Sequence, residues 1–193
     1  RTHAEMLDNA EMDAVLICTP PDSHPDICVD FIDRGVHVLC EKPFAINSAD
    51  AERVLKAGKA KGVLITMASK FRYVDDVIRA KQIVDSGILG EVVLFENAFT
   101  AWVDMGDRWN SDPAVSGGGV LIDNGTHSVD IARFLTGDIV RVRATFAPNS
   151  QGLEVEDSAR IVFEGASGLR GRIDLSWSCQ PSGPTFITVH GDE

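Results

Sequence analysis

The chain has 193 residues, a formal net charge of −11 and an apolar fraction of 44%. That length suffices for one or two domains with a real hydrophobic core. The acidic balance argues against nucleic acid or an anionic membrane surface as the main partner, because both are bound by a basic face. No apolar run in the sequence reaches the roughly 18 residues of a membrane-spanning helix.

The four cysteines form no C-x-x-C motif, so the sequence suggests neither a zinc knuckle nor a redox pair, and we expect no metal site. Cys18 and Cys40 end apolar, strand-like runs and are expected to be buried thiols. Free thiols fit a reducing, cytoplasmic location.

The first third of the chain alternates between strand and helix patterns. The predicted elements are a helix over 1–9, a strand over 13–19, a helix from Asp22 or Ser23 to Arg34, a strand over 36–40, a helix from Asn47 or Ser48 to Gly62, and a strand over 63–67. The apolar strand runs are typical of strands covered on both faces. This order predicts the later half of a doubly wound parallel α/β sheet, placed in a domain over 1–69.

The pattern then changes. A helix is predicted over 74–86, a strand over 91–100, irregular chain over 101–115, a helix from three glycines to Gly137, and strands over 139–147, 158–164, 169–178 and 185–190. Polar turns at 148–156, 165–168 and 180–184 separate the last four strands, which predicts an antiparallel meander. We therefore expect an α+β domain over 70–193 with an open antiparallel sheet. Truncation of this domain at its end is one alternative.

The glycine-led helix carries Asp123 and His127, which are four residues apart and therefore share one helix face. A carboxylate one turn from an imidazole is a natural acid/base pair. The alternative is a surface Asp–His pair beside a buried helix. Gly125 in the same helix predicts either close approach of a substrate or tight packing of helix on sheet. The glycines at 117–119 lack the spacing of a phosphate loop.

Two predicted strands end in residues suited to a ligand site, because ligands of open parallel sheets bind beyond the carboxyl ends of the strands. The first strand delivers Thr19 and Pro20, with His24 a few residues on, and the second delivers Glu41 and Lys42. A lysine beside a rigid proline can be partly desolvated and serve as a proton donor or relay. The alternatives are a solvated Lys42 paired with Glu41, and a His24 that merely starts a helix.

Four segments in order, 19–24 (TPPDSH), 35–44 (GVHVLCEKPF), 86–92 (SGILGEV) and 117–127 (GGGVLIDNGTH), resemble the Gfo/Idh/MocA family of NAD(P)-dependent oxidoreductases. The resemblance implies a Rossmann half followed by an α/β domain whose sheet mediates homo-oligomerisation. The implied catalytic residues are Lys42, Asp123 and His127. The residues implied to bind NAD or NADP are Thr19, Pro20, His24, Glu41 and Lys42, with weaker support for Arg72, Arg108 and Trp109. It also implies a cis bond between Lys42 and Pro43.

The implied reaction moves a hydride between nicotinamide and a secondary hydroxyl or carbonyl of a sugar, cyclitol or sugar derivative. His127 or Lys42 would accept the hydroxyl proton, and Thr126 and Asp130 could orient substrate hydroxyls. Trp102 and Trp109 would either stack on a sugar face or be buried. Two alternatives remain open: a non-catalytic dinucleotide-binding regulator of the same fold, and an NAD-dependent glycosidase.

The sequence departs from the family in having no first β-α-β unit, with its G-x-G-x-x-G turn and the residue that chooses between NAD and NADP. Without that turn, the pyrophosphate lacks a helix N-terminus to bind. We therefore expect these 193 residues alone to bind dinucleotide poorly. Titrating the chain with NADH and following nucleotide fluorescence checks this, with an intact dehydrogenase as positive control; tight binding would contradict it.

Overall fold

The structure is a computed structural model that describes residues 2–180 and 185–193. Its helices are α1 (His3–Asn9), α2 (His24–Asp33), α3 (Ser48–Lys61), α4 (Asp75–Asp85), α5 (Pro113–Ser116) and α6 (Val120–Thr136), with 3₁₀ turns at Lys70–Tyr73 and Trp109–Ser111. Its strands are β1 (Ala14–Ile17), β2 (His37–Cys40), β3 (Ile65–Met67), β4 (Val92–Thr100), β5 (Ile139–Phe146), β6 (Ser158–Gly165), β7 (Arg170–Ser176) and β8 (Ile187–Gly191). Arg1 of the first predicted helix and 181–184 of the last predicted turn lie outside the described residues.

Contacts divide the described chain into two units. The first comprises residues up to 68 together with 112–117, and the second comprises 69–111 and 118–193. The short helix α5 thus groups with the first unit, although it lies within the range predicted for the second domain. No helix in the described part of the chain is long and apolar enough to cross a membrane.

Local signals set the helix ends in the first unit. The side chain of Asn47 accepts a hydrogen bond from the Asp50 amide and starts α3, and Gly62 ends it with φ of 69°. A side-chain acceptor at the start and a glycine in the left-handed region at the end satisfy the backbone groups that a helix leaves unpaired. The prediction of a helix from Asn47 or Ser48 to Gly62 is confirmed.

The first unit holds a parallel sheet in the order β1-β2-β3. Its core joins strand residues such as Val15 and Val38 to Phe31 and Ile32 of α2 and Val54 of α3. Because β1 and β2 pair in parallel with Ile17 opposite Cys40, the two strands end side by side. The predicted Rossmann-type parallel sheet is confirmed, and this pairing brings the segments after residues 17 and 40 to one edge.

The expectation that these strands are covered on both faces is wrong for the described residues. Leu16 and Leu39 are 58% and 39% exposed, whereas their neighbours along the strands are buried. The reason is that α2 and α3 contribute to the core on the face of Val15 and Val38 only, so burial alternates.

The same alternation corrects the prediction for one of two thiols. Cys18 is exposed, because it follows the buried Ile17 and takes the exposed side of the alternation, whereas Cys40 is buried as expected. A hydrogen bond with Cys28, together with burial, raises the pKa of the Cys40 thiol. Cys40 is therefore protonated and unreactive at neutral pH.

The second unit holds a five-stranded sheet in the order β5-β6-β7-β4-β8. The hairpins β5-β6 and β6-β7 are antiparallel as predicted. The last strand does not continue the meander, because β4 lies between β7 and β8, parallel to β7 and antiparallel to β8. The sheet is therefore mixed. Pairing each strand with its sequence neighbour fails here because the early, nine-residue β4 occupies the place next to β7.

The long helix α6 covers the inner face of this sheet. Ile131 and Leu135 of α6 join Phe95, Ile173 and Leu175 in the larger core. A Cβ atom on Gly125 would lie 3.1 Å from a methyl carbon of Leu175 on β7. Tight packing of helix on sheet therefore explains this glycine, and the alternative of substrate approach is not needed.

A buried carboxylate fastens the loop that precedes β6. Asp157 is fully buried, and its Oδ2 accepts hydrogen bonds from the amides of Ser150 and Gln151 and from the Ser178 hydroxyl. Gln151 in turn donates to the carbonyls of Val103 and Trp177. Burial alone would raise the pKa of Asp157, but the hydrogen bonds outweigh it and the pKa is lowered.

We expect Asp157→Asn to lower the free energy of unfolding by about 2 kcal/mol at pH 7, because amide donors would then face an amide group in place of an anion. Since folding lowers the pKa of Asp157, its ionised carboxylate stabilises the folded state fully at pH values above its ordinary pKa of 3.8. This stabilisation is lost as the pH falls through the lowered pKa of the folded state. Urea unfolding at pH 7, 5 and 3 measures this. The control Asp107→Asn, at an exposed residue, should change little. A wild-type-to-variant difference independent of pH would contradict the prediction.

Candidate active site

The helix α6 presents the two predicted acid/base residues one turn apart. His127 is only 6% exposed, and Asp123 is half-buried. The His127 imidazole packs edge-on against Phe71, with ring centroids 5.0 Å apart, and stacks at 6.2 Å on Phe99. The alternative of a surface pair therefore does not describe His127, whose ring is held in one orientation by aromatic neighbours.

These neighbours belong to an aromatic cluster that the sequence did not reveal. Phe186 lies 5.5 Å from Phe71 and 5.2 Å from Phe99 between ring centroids. The three phenylalanines come from the 3₁₀ turn, from β4 and from the segment before β8, so no local spacing connects them. Their rings exclude water from one side of the imidazole and limit its rotation.

The predicted ligand residue Arg72 has its partner on α6. Its guanidinium donates two parallel hydrogen bonds to the Asp130 carboxylate, at 2.7 and 2.9 Å, and lies 5.2 Å from the centre of the Phe134 ring. The hydrogen bonds that Arg72 donates to this carboxylate raise the pKa of its guanidinium. Bidentate pairing fixes a guanidinium plane, so Arg72 ties the 3₁₀ turn to α6. The Thr126 hydroxyl also has a partner, the carbonyl of Ile122 at 2.6 Å.

In the first unit, His24 links the ends of β1 and β2. It is fully buried, and its Nδ1 and Nε2 lie 3.0 and 2.7 Å from the carbonyl oxygens of Pro43 and Thr19. Both ring nitrogens thus have partners inside the protein. Ser23 donates to the Pro20 carbonyl at 2.7 Å, which tightens the turn between β1 and α2.

The segment after β2 has the shape that the resemblance implied. The bond between Lys42 and Pro43 is cis, as expected. The Glu41 amide donates to the Ile17 carbonyl, and the Glu41 carboxylate accepts from the Lys42 amide, both at 2.9 Å. Thr19, Pro20, Glu41 and Lys42 therefore follow adjacent strands of one sheet, where ligands of this architecture bind.

The predicted residues of the irregular segment are exposed. Arg108 lies at the surface of the second unit, and Trp109 and Trp102 are 45% and 57% exposed. The interpretation of these tryptophans as buried core residues is therefore wrong. Within the described ranges, no group of three His, Cys, Asp or Glu side chains could hold a metal ion.

The start of α6 contacts a residue that no local sequence pattern indicates, Glu156 in the loop before β6. Glu156 accepts hydrogen bonds from the amides of Gly119 and Leu121 with its carboxylate. These are the amides that a phosphate would need, so the rejection of a phosphate loop at 117–119 has a structural reason. The only signal was indirect: glycine at the N-cap offers no side chain, so a distant residue has to supply the acceptor.

Comparison with known proteins gives one family match for each half of the chain. Residues 1–69 match the oxidoreductase family with an NAD-binding Rossmann fold, and residues 77–193 match the Gfo/Idh/MocA C-terminal domain. An uncharacterised oxidoreductase of Schizosaccharomyces pombe is 34% identical over 162 residues, which are 82% of this chain and 44% of the relative.

Solved structures are similar along the whole chain. GenD2 from gentamicin A biosynthesis, solved with NAD, is 31% identical with a TM-score of 0.89, over 100% of this chain and 56% of its own. A levoglucosan dehydrogenase solved with NADH and levoglucosan is 25% identical with a TM-score of 0.90, over 100% of this chain and 55% of its own. The chain spans about half the length of these relatives. By the match to both halves of its sequence, the chain belongs to the Gfo/Idh/MocA family of NAD-binding oxidoreductases.

Proposed function

We propose that the complete protein transfers a hydride between nicotinamide and a secondary hydroxyl or carbonyl of a sugar, cyclitol or sugar derivative. One observation carries the proposal: a buried histidine, His127, is held by aromatic rings one helical turn after Asp123. Burial and a fixed ring orientation are what a general base requires and what a solvated surface histidine lacks.

The described residues fit the nicotinamide half of a dinucleotide. Thr19, Pro20, Glu41 and Lys42 follow the adjacent parallel strands β1 and β2, and we propose that they line the nicotinamide site. The structures of relatives with NAD and NADH support NAD over NADP.

The chemistry supplied by a bound nicotinamide is hydride uptake or release. The protein's part is the proton of the substrate hydroxyl. A ring nitrogen of His127 accepts that proton, and the Asp123 carboxylate favours the imidazolium that results. The Lys42 ammonium stabilises negative charge developing on the substrate oxygen, or takes the proton itself. His127 and Lys42 are thus the two candidates for the base.

We propose a polyhydroxylated ring as substrate. The exposed Trp102 and Trp109 offer flat apolar surfaces of the kind on which sugar faces stack. Arg108, beside Trp109 and also exposed, adds hydrogen-bond donors. The levoglucosan bound by a dehydrogenase of similar structure supports the same substrate class. For Arg72, the pairing with Asp130 favours holding α6 over contacting cofactor or substrate.

We also propose that the five-stranded sheet mediates homo-oligomer formation. Charged side chains of neighbouring strands pair along it, Arg170 with Glu164 at 2.8 Å and Arg172 with Glu96 at 2.9 Å. Exposed Val162 lies among them.

A cytoplasmic location is supported by the four free cysteines.

We expect His127→Gln and Lys42→Met to lower kcat by about 10²- to 10⁴-fold in the complete protein, because each removes a proton-transfer or charge-stabilising group. The measurement is absorbance of reduced nicotinamide with NAD or NADP and a panel of cyclitols, aldoses and amino sugars. His3→Gln is the matched control, because His3 is a partly exposed histidine on α1.

Other outcomes of this assay identify the alternatives. Absence of turnover together with tight binding of a protein partner would indicate a regulator. Release of a sugar from a glycoside without net cofactor reduction would indicate a glycosidase. Wild-type kcat in His127→Gln would refute the role of the buried imidazole.

A further inference from the structure

We propose that Glu156 is a positioning residue for α6, fixing its first turn and thereby the placement of Asp123 and His127. The catalytic meaning of that placement rests on the proposed function, whereas the placement itself does not. Glu156 lies 37 residues from Gly119, in the loop that precedes β6.

Glu156 holds three consecutive amides at the start of α6. Its carboxylate oxygens accept from Gly119 at 3.0 and 3.1 Å, and one of them also accepts from Leu121 at 3.0 Å. Its main-chain carbonyl accepts from the Val120 amide at 2.9 Å. A helix leaves its first amides without internal partners, and here one residue of a distant loop satisfies those of 119–121.

The backbones of Gly119 and Glu156 are in close contact. A Cβ atom on Gly119 would lie 2.0 Å from the Glu156 carbonyl oxygen and within 3 Å of two further backbone atoms of Glu156. Only glycine lets the two backbones approach this closely. Glu156 therefore acts on α6 through a main-chain contact as well as through its side chain.

The loop that carries Glu156 is itself anchored. The next residue is the buried Asp157, hydrogen-bonded to Ser150, Gln151 and Ser178, and β6 begins directly after it at Ser158. The contact between Glu156 and the first turn of α6 is thus anchored to the sheet through Asp157. Because this loop is fixed, a change in the Glu156 side chain displaces α6 and not the loop.

Asp123 and His127 lie close to the turn of α6 that Glu156 contacts. The Asp123 amide donates to the Gly119 carbonyl at 3.1 Å, so Asp123 completes the turn that Glu156 holds, and His127 follows one turn later. The Glu156 carboxylate also offsets the positive end of the helix dipole beside Asp123. The His127 ring contacts Phe71 and Phe99, so a displacement of α6 changes the distances between these rings.

The test compares Glu156→Gln and Glu156→Ala with Glu154→Gln. Glutamine keeps one acceptor oxygen but replaces the other by an NH₂ group that faces the Gly119 amide, and alanine removes both carboxylate oxygens. Glu154 is exposed in the same loop, so its variant removes the same charge without touching α6. Proton–carbon NMR spectra of the chain give the imidazole signals, with the His127 signal assigned from His127→Gln.

We expect both Glu156 variants to shift the His127 ring signals, because ring currents of Phe71 and Phe99 change with their distance from the imidazole. The signals of the buried His24, in the other unit, and the spectrum of Glu154→Gln should stay as in the wild type. In the complete protein, kcat and kcat/KM should fall together by about 10- to 100-fold in the Glu156 variants.

A lower melting temperature with unchanged His127 signals and unchanged kcat would overturn the proposal and leave Glu156 a stabilising cap only. If Glu156→Gln and Glu156→Ala do not fold, Glu156→Asp keeps the charge on a shorter side chain and should give a smaller shift; an unshifted His127 signal there also overturns it. Shifted signals in a protein whose activity survives His127→Gln would support the positioning of α6 and refute the proposed function.

Discussion

The second unit depends on one constraint: a helix that begins on glycines has to obtain its first hydrogen-bond acceptors from elsewhere. Glu156 supplies them, and the chain around it is organised accordingly. Asp157 fixes the same loop to the sheet, and Gly119 allows the two backbones to meet. Further along α6, the Arg72 guanidinium holds the helix through its hydrogen bonds to Asp130. Polar contacts at the first turn and at Asp130 thus hold the helix that apolar packing places on the sheet.

Much of the fold follows from short-range signals. Asn47 and Gly62 bound α3, as expected of a side-chain acceptor and a left-handed glycine. Long-range partners were beyond those signals. The hydrophobic pattern of β4 says that it is a strand, but it does not say that β7 and β8 flank it. Likewise, the run ending at Cys18 indicates a strand, but which face the helices cover is decided by their packing.

The candidate residues of each unit divide in the same way, into those that local patterns predict and those that they do not. Helical spacing suffices to place Asp123 and His127 on one face, and position after a strand suffices for Thr19 and Lys42. The rings around His127 come from three distant segments, and the partners of Arg72 and His24 are defined only in the folded chain. A sequence thus indicates which residue types can do chemistry, whereas their hydrogen-bond partners depend on tertiary contacts.

The position of β4 between β7 and β8 also governs the order in which the second unit can assemble. β4 ends at Thr100, and its parallel partner β7 begins only at Arg170, after α6 and two further strands. During synthesis, both edges of β4 therefore lack their partners until β7 and β8 have left the ribosome. Non-local pairing of this kind slows folding. Until then the apolar residues of β4, Phe95 among them, are not covered by their partner strands, and the nascent chain is open to aggregation and to binding by chaperones.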